Sequence, residues 1–183
     1  RNSRRMEAEL VRDSMLAAAR ELDLTMGGPE LADNFGQTSR RRSLYFRTTP
    51  DNKMEMLGLF DLANPNECYE RRESVMPQQS LALLNSALTL DLSRILAQKL
   101  APEKKESFTV AAFEWVLSRP PSKEEMILSL KFLQTQEARL AKEGTPFAGA
   151  NATKVSAAKN PAQRARENLV QVLFNHNDFV TIR

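Results

Sequence analysis

The side chains that could do chemistry are concentrated in a polar stretch over residues 64–74, the most unusual composition in the chain. Arg71 and Arg72 could bind an anion, because the planar guanidinium fork matches a carboxylate, sulfate or phosphate group. Glu67 and Glu73 could then serve as general acid or base on the bound group. The alternative, which we favour, is that these charges pair with one another and fasten a long connection to the helices.

The second candidate is His176, the only histidine of the chain, which lies in the polar run of residues 175–178. Histidine titrates near neutral pH and ligates metals and haem. A lone histidine more often lies at a helix end, where the helix dipole favours the protonated imidazole, and we favour that interpretation. A triad of Ser74, His176 and Asp178 stays open, although no nucleophile-elbow motif accompanies these residues.

The single cysteine, Cys68, excludes an internal disulfide framework and a cysteine-based zinc site. It could be a nucleophile, but no motif flanks it, and a free cysteine is more often buried and inert. The sequence also shows no phosphate-binding glycine loop, no paired-carboxylate signature and no metal-ligand spacing. We therefore expect no cofactor and no metal in this chain.

Basic clusters at residues 1–5 and 40–42 raise the question of nucleic-acid binding. Glu7, Glu9 and Asp13 follow the first cluster closely, and no aromatic stacking motif interleaves either one. The net charge of +3 is small for 183 residues. A solvated or ion-paired face is the better interpretation, and nucleic-acid binding is disfavoured.

The elements that must position these candidates are mainly helices, because apolar residues recur at helical spacing along most of the chain. Ser43–Arg47 is a strand candidate by its aromatic content, and residues 179–182 could be extended. We predict a mainly α, irregular helical domain of about six to seven helices with at most one short β pairing. The helix signals in the first half are an apolar stripe over residues 3–21, Thr49-Pro50 before a short helix to residue 62, and Pro77 before a helix that could break near Asn85-Ser86. Those in the second half are a Ser107 cap before a helix that ends ahead of Pro120, the capping box Ser122–Glu125, and the cap and proline pair Asn160-Pro161.

The length fits one domain, and 42% apolar with 27% charged residues is typical of a globular chain. No run of about 18 apolar residues is present, so we expect no membrane span. The chain begins at Arg1 inside a predicted helix and shows no signal peptide. We predict a single C-terminal helical domain over residues 1–183, cut from a longer chain, with a mobile linker near residues 143–161.

Several long strings resemble one family, the planctomycete-type domain of unknown function 1553. The resemblance covers residues 4–183 except the region around 143–160, and its strings are RRMEAELVRDSMLAAARELDLTMGGP, RRSLYFR, MLGLFDLANPNECYERRESVMPQQSLALLNS, AFEWVLSRPPSKEE and RARENLVQVLFNHNDFVTIR. It implies a C-terminal domain of large exported planctomycete proteins, periplasmic or extracellular, which often carry a cytochrome-c-like domain upstream. The family supplies no established catalytic residues. This chain has no CxxCH motif, so any c-type haem would lie elsewhere in the parent.

The hypothesis that follows is a non-catalytic helical module of a larger exported multidomain protein. It would pack on upstream domains and support redox or polysaccharide-related activity carried out by them. The alternative is part of an enzyme active site for anionic or sulfated sugars, formed by residues 66–79 and His176. Glu67, Arg71, Arg72 and Glu73 are its candidate site residues, and an anionic carbohydrate is the partner that it implies.

Overall fold

A computed structural model describes residues 4–66, 74–143 and 153–182, and within these ranges the chain is mainly α-helical. Strands β1 (Arg4–Arg5) and β2 (Thr181–Ile182) form an antiparallel pair, with Arg4 opposite Ile182. The prediction of a mainly α domain with one short β pairing is confirmed. The helices in these ranges are α1 (Ala8–Ala18), α2 (Glu55–Leu59), α3 (Pro77–Asn85), α4 (Ala87–Lys99), α5 (Lys105–Leu117), α6 (Lys123–Glu143) and α7 (Pro161–Phe174).

Three predicted helix starts are present, and two of them have the expected capping contacts. Pro77 is the first residue of α3. Ser122 and Glu125 form the capping box of α6, because the Glu125 amide donates to Ser122 Oγ at 3.1 Å and the Ser122 amide donates to the Glu125 carboxylate at 2.7 Å. The Asn160 side chain accepts hydrogen bonds from the first amides of α7.

The predicted strand at Ser43–Arg47 is wrong. Ser43–Tyr45 instead forms one turn of 3₁₀ helix, and Phe46 after it forms an isolated parallel bridge with Leu31. The Asp13 carboxylate accepts hydrogen bonds from the Ser43 amide at 2.8 Å and from the Ser43 hydroxyl at 2.6 Å. This side chain on α1 therefore fixes the turn, and aromatic content alone did not reveal it.

Several helix boundaries differ from the prediction. The first helix begins at Ala8, because Arg4 and Arg5 pair with β2. The helix expected after Thr49-Pro50 begins at Glu55, because Thr49 and Asn52 close a turn through their backbones. The helix expected to be capped by Ser107 begins at Lys105, and its N-cap is Lys104, three residues earlier than predicted.

The break near Asn85-Ser86, which the sequence left open, is present. Helices α3 and α4 meet there at an angle of 53°. Ser86 has extended backbone, and its side chain accepts a hydrogen bond from the Thr89 amide, so it is the N-cap of α4. In the described ranges no single helix is long and apolar enough to cross a membrane, although α3 and α4 taken together pass that test by length and composition.

The hydrophobic core is centred on α4, which packs against α7 and α1. Leu88, Leu92 and Leu96 are fully buried and recur every fourth residue, so they lie along one face of α4. Phe108 from α5 and Phe174 from α7 are equally buried. Each such side chain contributes about 1.5–3 kcal/mol by removal from water, so α4, α5 and α7 all stabilise the core.

Arg12 on α1 is fully buried, and its guanidinium holds the loop that leads to Ser43. It donates to the backbone carbonyls of Gly36 at 3.3 Å, Ser39 at 2.7 Å and Arg41 at 2.9 Å, and to Ser43 Oγ at 3.3 Å. A loop without regular structure leaves its carbonyl groups without ladder partners. The five donors of one arginine satisfy three of them at once.

The charge of Arg12 is partly balanced inside the protein. Asp13 lies 3.7 Å away, and the ring of Phe46 lies beneath the guanidinium with its centroid at 4.9 Å. Burial nevertheless lowers the pKa of Arg12 to about 10. Arg12 therefore remains protonated at neutral pH and is held there by the carbonyl groups around it.

A second group of buried charges lies between α4 and α7. The Asp91 carboxylate accepts hydrogen bonds from the amides of Lys154 and Val155, each at 3.0 Å, and Arg94 donates to the carbonyl of Val155. The Glu167 carboxylate accepts from the Ala158 amide at 3.1 Å. These contacts bind residues 154–158, which belong to the described part of the predicted linker. Residues 144–152 lie outside the described residues, and the mobile linker stays a prediction.

We expect Arg12→Met to lower the free energy of unfolding by about 3 kcal/mol or more, because it leaves three backbone carbonyls without their donor and removes the cation beside Asp13. Urea unfolding followed by circular dichroism measures the change. Arg139→Met is the matched control, because that arginine makes an exposed pair with Glu143 on the surface of α6. Equal losses in the two variants would contradict the role given to Arg12.

Candidate functional site

Most residues of the predicted polar site lie outside the described residues. Glu67, Arg71, Arg72 and Glu73 fall in the range 67–73, together with Cys68. Their assignment as anion-binding and acid–base residues stays a prediction, and so does the alternative that they pair with one another. The structure describes the two ends of this segment and His176.

The two ends of the polar segment are joined by Asp61 and Ser74. The Asp61 carboxylate accepts hydrogen bonds from the Ser74 amide at 2.8 Å and from the Ser74 hydroxyl at 2.8 and 2.9 Å. Asp61 has a φ of +60°, a left-handed conformation that a non-glycine residue adopts at a cost. The hydrogen bonds to Ser74 offset that cost, so this pair closes the connection between α2 and α3.

Gln79 anchors the same segment from inside the protein. Its side chain is buried, and its amide nitrogen donates to the carbonyls of Leu59 at 2.9 Å and Ser74 at 3.3 Å. Its carbonyl oxygen accepts a hydrogen bond from Arg5 in β1. The start of the chain, the end of α2 and the start of α3 therefore meet at one buried amide.

His176 lies just after α7, as the helix-end interpretation expected. It is the N-cap of a 3₁₀ turn over Asn177–Phe179, and its Nδ1 accepts a hydrogen bond from the Asp178 amide at 3.1 Å. An accepting Nδ1 places the proton of the neutral ring on Nε2. A triad needs the opposite arrangement, in which Nδ1 donates to the aspartate. The hydroxyl of Ser74 is likewise bound to Asp61.

The strongest electrostatic cluster near His176 was not predicted from the sequence. Arg119 makes two hydrogen bonds of 2.7 Å to the Glu125 carboxylate and two, of 3.0 and 2.7 Å, to Asp178. It thereby ties the end of α5 to the start of α6 and to the turn that follows α7. The capping-box pattern marked Glu125 in the sequence, and Asp178 was considered as a triad residue, but nothing in the local sequence indicated that Arg119 binds both carboxylates.

These hydrogen bonds shift the titration of the cluster. The pKa of Glu125 falls from 4.5 to about 2, chiefly because Arg119 donates to the ionised carboxylate and also because the Ser122 amide does so. The same carboxylates raise the pKa of Arg119 above its usual value. Perturbed titration can mark catalytic groups, but here both partners are engaged in holding three elements together.

A groove of about 480 Å³ adjoins this cluster. It is lined by Asp178 and Ser118 and by Trp115, whose ring carries the Arg20 guanidinium at 4.0 Å from its centroid. Apolar side chains from α1, α5 and β2 complete the lining. In residues 4–66, 74–143 and 153–182 no group of three or more His, Cys, Asp or Glu side chains could hold a metal ion.

Two arginines of the basic cluster at residues 40–42, Arg40 and Arg41, make contacts within the chain. Arg41 stacks on the ring of Tyr45 at 3.9 Å and donates to the carbonyls of Gly27 and Pro29. Arg40 lies 4.0 Å from Glu21. These contacts agree with the interpretation of an ion-paired face at this position.

A family model described as PSD1, protein of unknown function (DUF1553), matches residues 1–133. The chain belongs to the DUF1553 family. No curated protein and no solved structure matches it. The match to DUF1553 ends within α6, so the family resemblance expected for residues 134–183 lies beyond the region matched. The matched region of residues 1–133 includes Arg12, Asp61, Ser74 and Arg119.

The Arg119–Glu125 pair predicts a specific dependence of stability on pH. Because the folded-state pKa of Glu125 is lowered, its contribution is present above about pH 4.5 and is lost as the pH falls towards about 2. We expect the difference in free energy of unfolding between the wild type and Glu125→Gln to shrink over that interval. Urea unfolding at a series of pH values measures it.

Glu124→Gln is the matched control, because it makes the same change one position earlier and removes no ion pair that the structure describes. If the wild type and Glu125→Gln differed by the same amount at pH 6 and at pH 3, Arg119 would not hold the carboxylate in its ionised form.

Proposed function

We propose that this chain is a non-catalytic helical module of a larger exported planctomycete multidomain protein. In this proposal it packs on upstream domains of the same protein. Those domains carry out redox or polysaccharide-related work, with any c-type haem bound there. Membership of the DUF1553 family supports the proposal, together with the contacts described below.

The observation that carries the proposal is an apolar surface on the loop between α1 and α2, formed by Leu24, Met26 and Leu44. Their side chains are 67%, 87% and 55% exposed. Single exposed apolar residues are common on proteins, but here Leu24 and Met26 lie two positions apart, and Leu44 precedes Tyr45, whose hydroxyl accepts a hydrogen bond from the Gly27 amide. Contact with another domain would remove this surface from water.

The apolar surface lies on backbone that is fixed in place. The Asp23 amide donates to the carbonyl of Arg40 at 2.9 Å, and the Gly27 amide donates to the Tyr45 hydroxyl at 2.8 Å. Arg41 joins the same two segments through Gly27 and Pro29. A surface held in one conformation loses little conformational entropy on binding, which favours a stable domain contact.

The buried charges also support a scaffolding role. Arg12, Asp91 and Glu167 each bind backbone amides or carbonyls of an irregular segment. These groups therefore maintain the conformation of the segments around the helices, which a packing module requires.

Oxidation of Met26 by hydrogen peroxide tests the proposal, because a methionine is oxidised according to its exposure to solvent. We expect Met26 to be oxidised several times more slowly in the full-length parent protein than in the isolated chain of residues 1–183. Mass spectrometry of the corresponding peptides gives both rates. Contact with an upstream domain is the physical reason for the protection.

Two other methionines serve as controls in the same samples. Met54 is 2% exposed and must stay protected in both, which shows that the isolated chain is folded. Met76 is 38% exposed and lies outside the apolar surface, so its rate should be similar in both samples. Equal oxidation of Met26 in the parent and the isolated chain would refute the proposed contact.

A further inference from the structure

A cavity of about 340 Å³ lies between α2 and α3, next to the bend at Ser86. Its apolar lining consists of Met56 and Leu59 from α2 and Leu81 and Ala82 from α3. Small-molecule sites are typically clefts of about 300–1,000 Å³ with an apolar lining and a few polar groups. This cavity is near the lower end of that range and has room for a ligand of one ring.

The polar lining consists of the side-chain amides of Gln37, Gln78 and Asn85, the carboxylate of Glu55, and Ser86. Gln37 is fixed in place, because its carbonyl oxygen accepts a hydrogen bond from the Leu88 amide at 3.0 Å. Within the part of the chain that the structure describes, no partner contacts its amide nitrogen or the polar side-chain atoms of Gln78, Asn85 and Glu55. The cavity therefore combines an apolar lining with several donors and acceptors that are available to a ligand.

The charges around the cavity favour neither a strong anion nor a strong cation, because its two charged features act in opposite directions. Among the described residues of the lining Glu55 is the only ionisable one, and its carboxylate repels anions. Ser86 and Gln37 both bind amides at the N-terminus of α4, where the helix dipole is positive and disfavours cations. A neutral ligand is affected by neither repulsion.

From this combination we infer that the cavity between α2 and α3 binds a single neutral sugar residue. Each sugar hydroxyl both donates and accepts a hydrogen bond, as the amides of Gln37, Gln78 and Asn85 do. The carboxylate of Glu55 accepts from a hydroxyl, and the C–H face of the ring contacts Met56, Leu59 and Ala82. This inference does not depend on the proposed domain contact, whose surface lies on the loop between α1 and α2.

Titration of the chain with neutral methyl glycosides of glucose, galactose, mannose and xylose tests the inference. The side-chain amide signals of Gln37, Gln78 and Asn85 are followed by ¹⁵N-resolved NMR spectroscopy. We expect at least one glycoside to shift these signals with a dissociation constant on the order of 1 mM. Glucuronate should bind less tightly than the corresponding neutral glycoside.

Gln78→Leu removes one amide while keeping a similar side-chain size, and it should weaken binding about two- to tenfold. Gln134→Leu, on an exposed position of α6, makes the same change far from the cavity in sequence and should leave binding unchanged. Both positions are exposed, and thermal unfolding verifies that both variants fold. Glu55→Gln should keep binding of the neutral glycoside and reduce the discrimination against glucuronate.

Three results would overturn the inference. The first is that none of the four glycosides shifts the amide signals. The second is that Gln78→Leu binds as tightly as the wild type. The third is that glucuronate binds as tightly as the neutral glycoside, since the carboxylate of Glu55 would then not face the ligand.

Discussion

Arg12 lies out of contact with water between α1 and the loop of residues 36–43, and its guanidinium replaces the hydrogen bonds that a strand or helix would have supplied there. The loop carries Ser43, whose turn is fixed by Asp13 of the same helix. Arg41 belongs to the same loop. Its guanidinium stacks on Tyr45 and donates hydrogen bonds to the carbonyls of Gly27 and Pro29. The conformation of the region between α1 and α2, including its exposed apolar side chains, therefore depends on one buried cation.

The same arrangement recurs in the rest of the molecule. Asp91 and Glu167 hold residues 154–158 against α4 and α7, and Arg119 joins the ends of α5 and α7 to the start of α6. Asp91 and Glu167 bind segments of irregular backbone, and Arg119 binds the carboxylates of two elements. The only named strands in the described residues are β1 and β2, so the long connections lack the hydrogen bonds of a sheet. Side-chain contacts must bind their backbone groups instead. This use of charge agrees with a packing module better than with a site in which the same groups bind substrate.

The sequence predicted those features that depend on neighbours along the chain. Helix starts at Pro77, Ser122 and Asn160 were predicted because capping requires a residue type at a fixed offset. The turn at Ser43 was not, because Asp13 lies thirty positions earlier and its partner cannot be identified without the fold. The leucine-rich sequence of α4 contains the charged residues Asp91 and Arg94. Charges on a helix that is otherwise apolar are a sequence signal that these side chains have partners inside the protein. Of the predicted site residues, His176 lies at a helix end, and the assignments in residues 67–73 stay predictions.

Hydrogen exchange in Arg12→Met tests most directly whether this arginine determines the conformation of the loop region. Amide protection in residues 21–47 should fall well before protection in α4 and α7, because those helices are stabilised by apolar burial rather than by Arg12. Exchange followed by mass spectrometry of peptides resolves these regions. Protection of residues 21–47 equal to that of the wild type would contradict the account, and so would a uniform loss of protection over the whole chain.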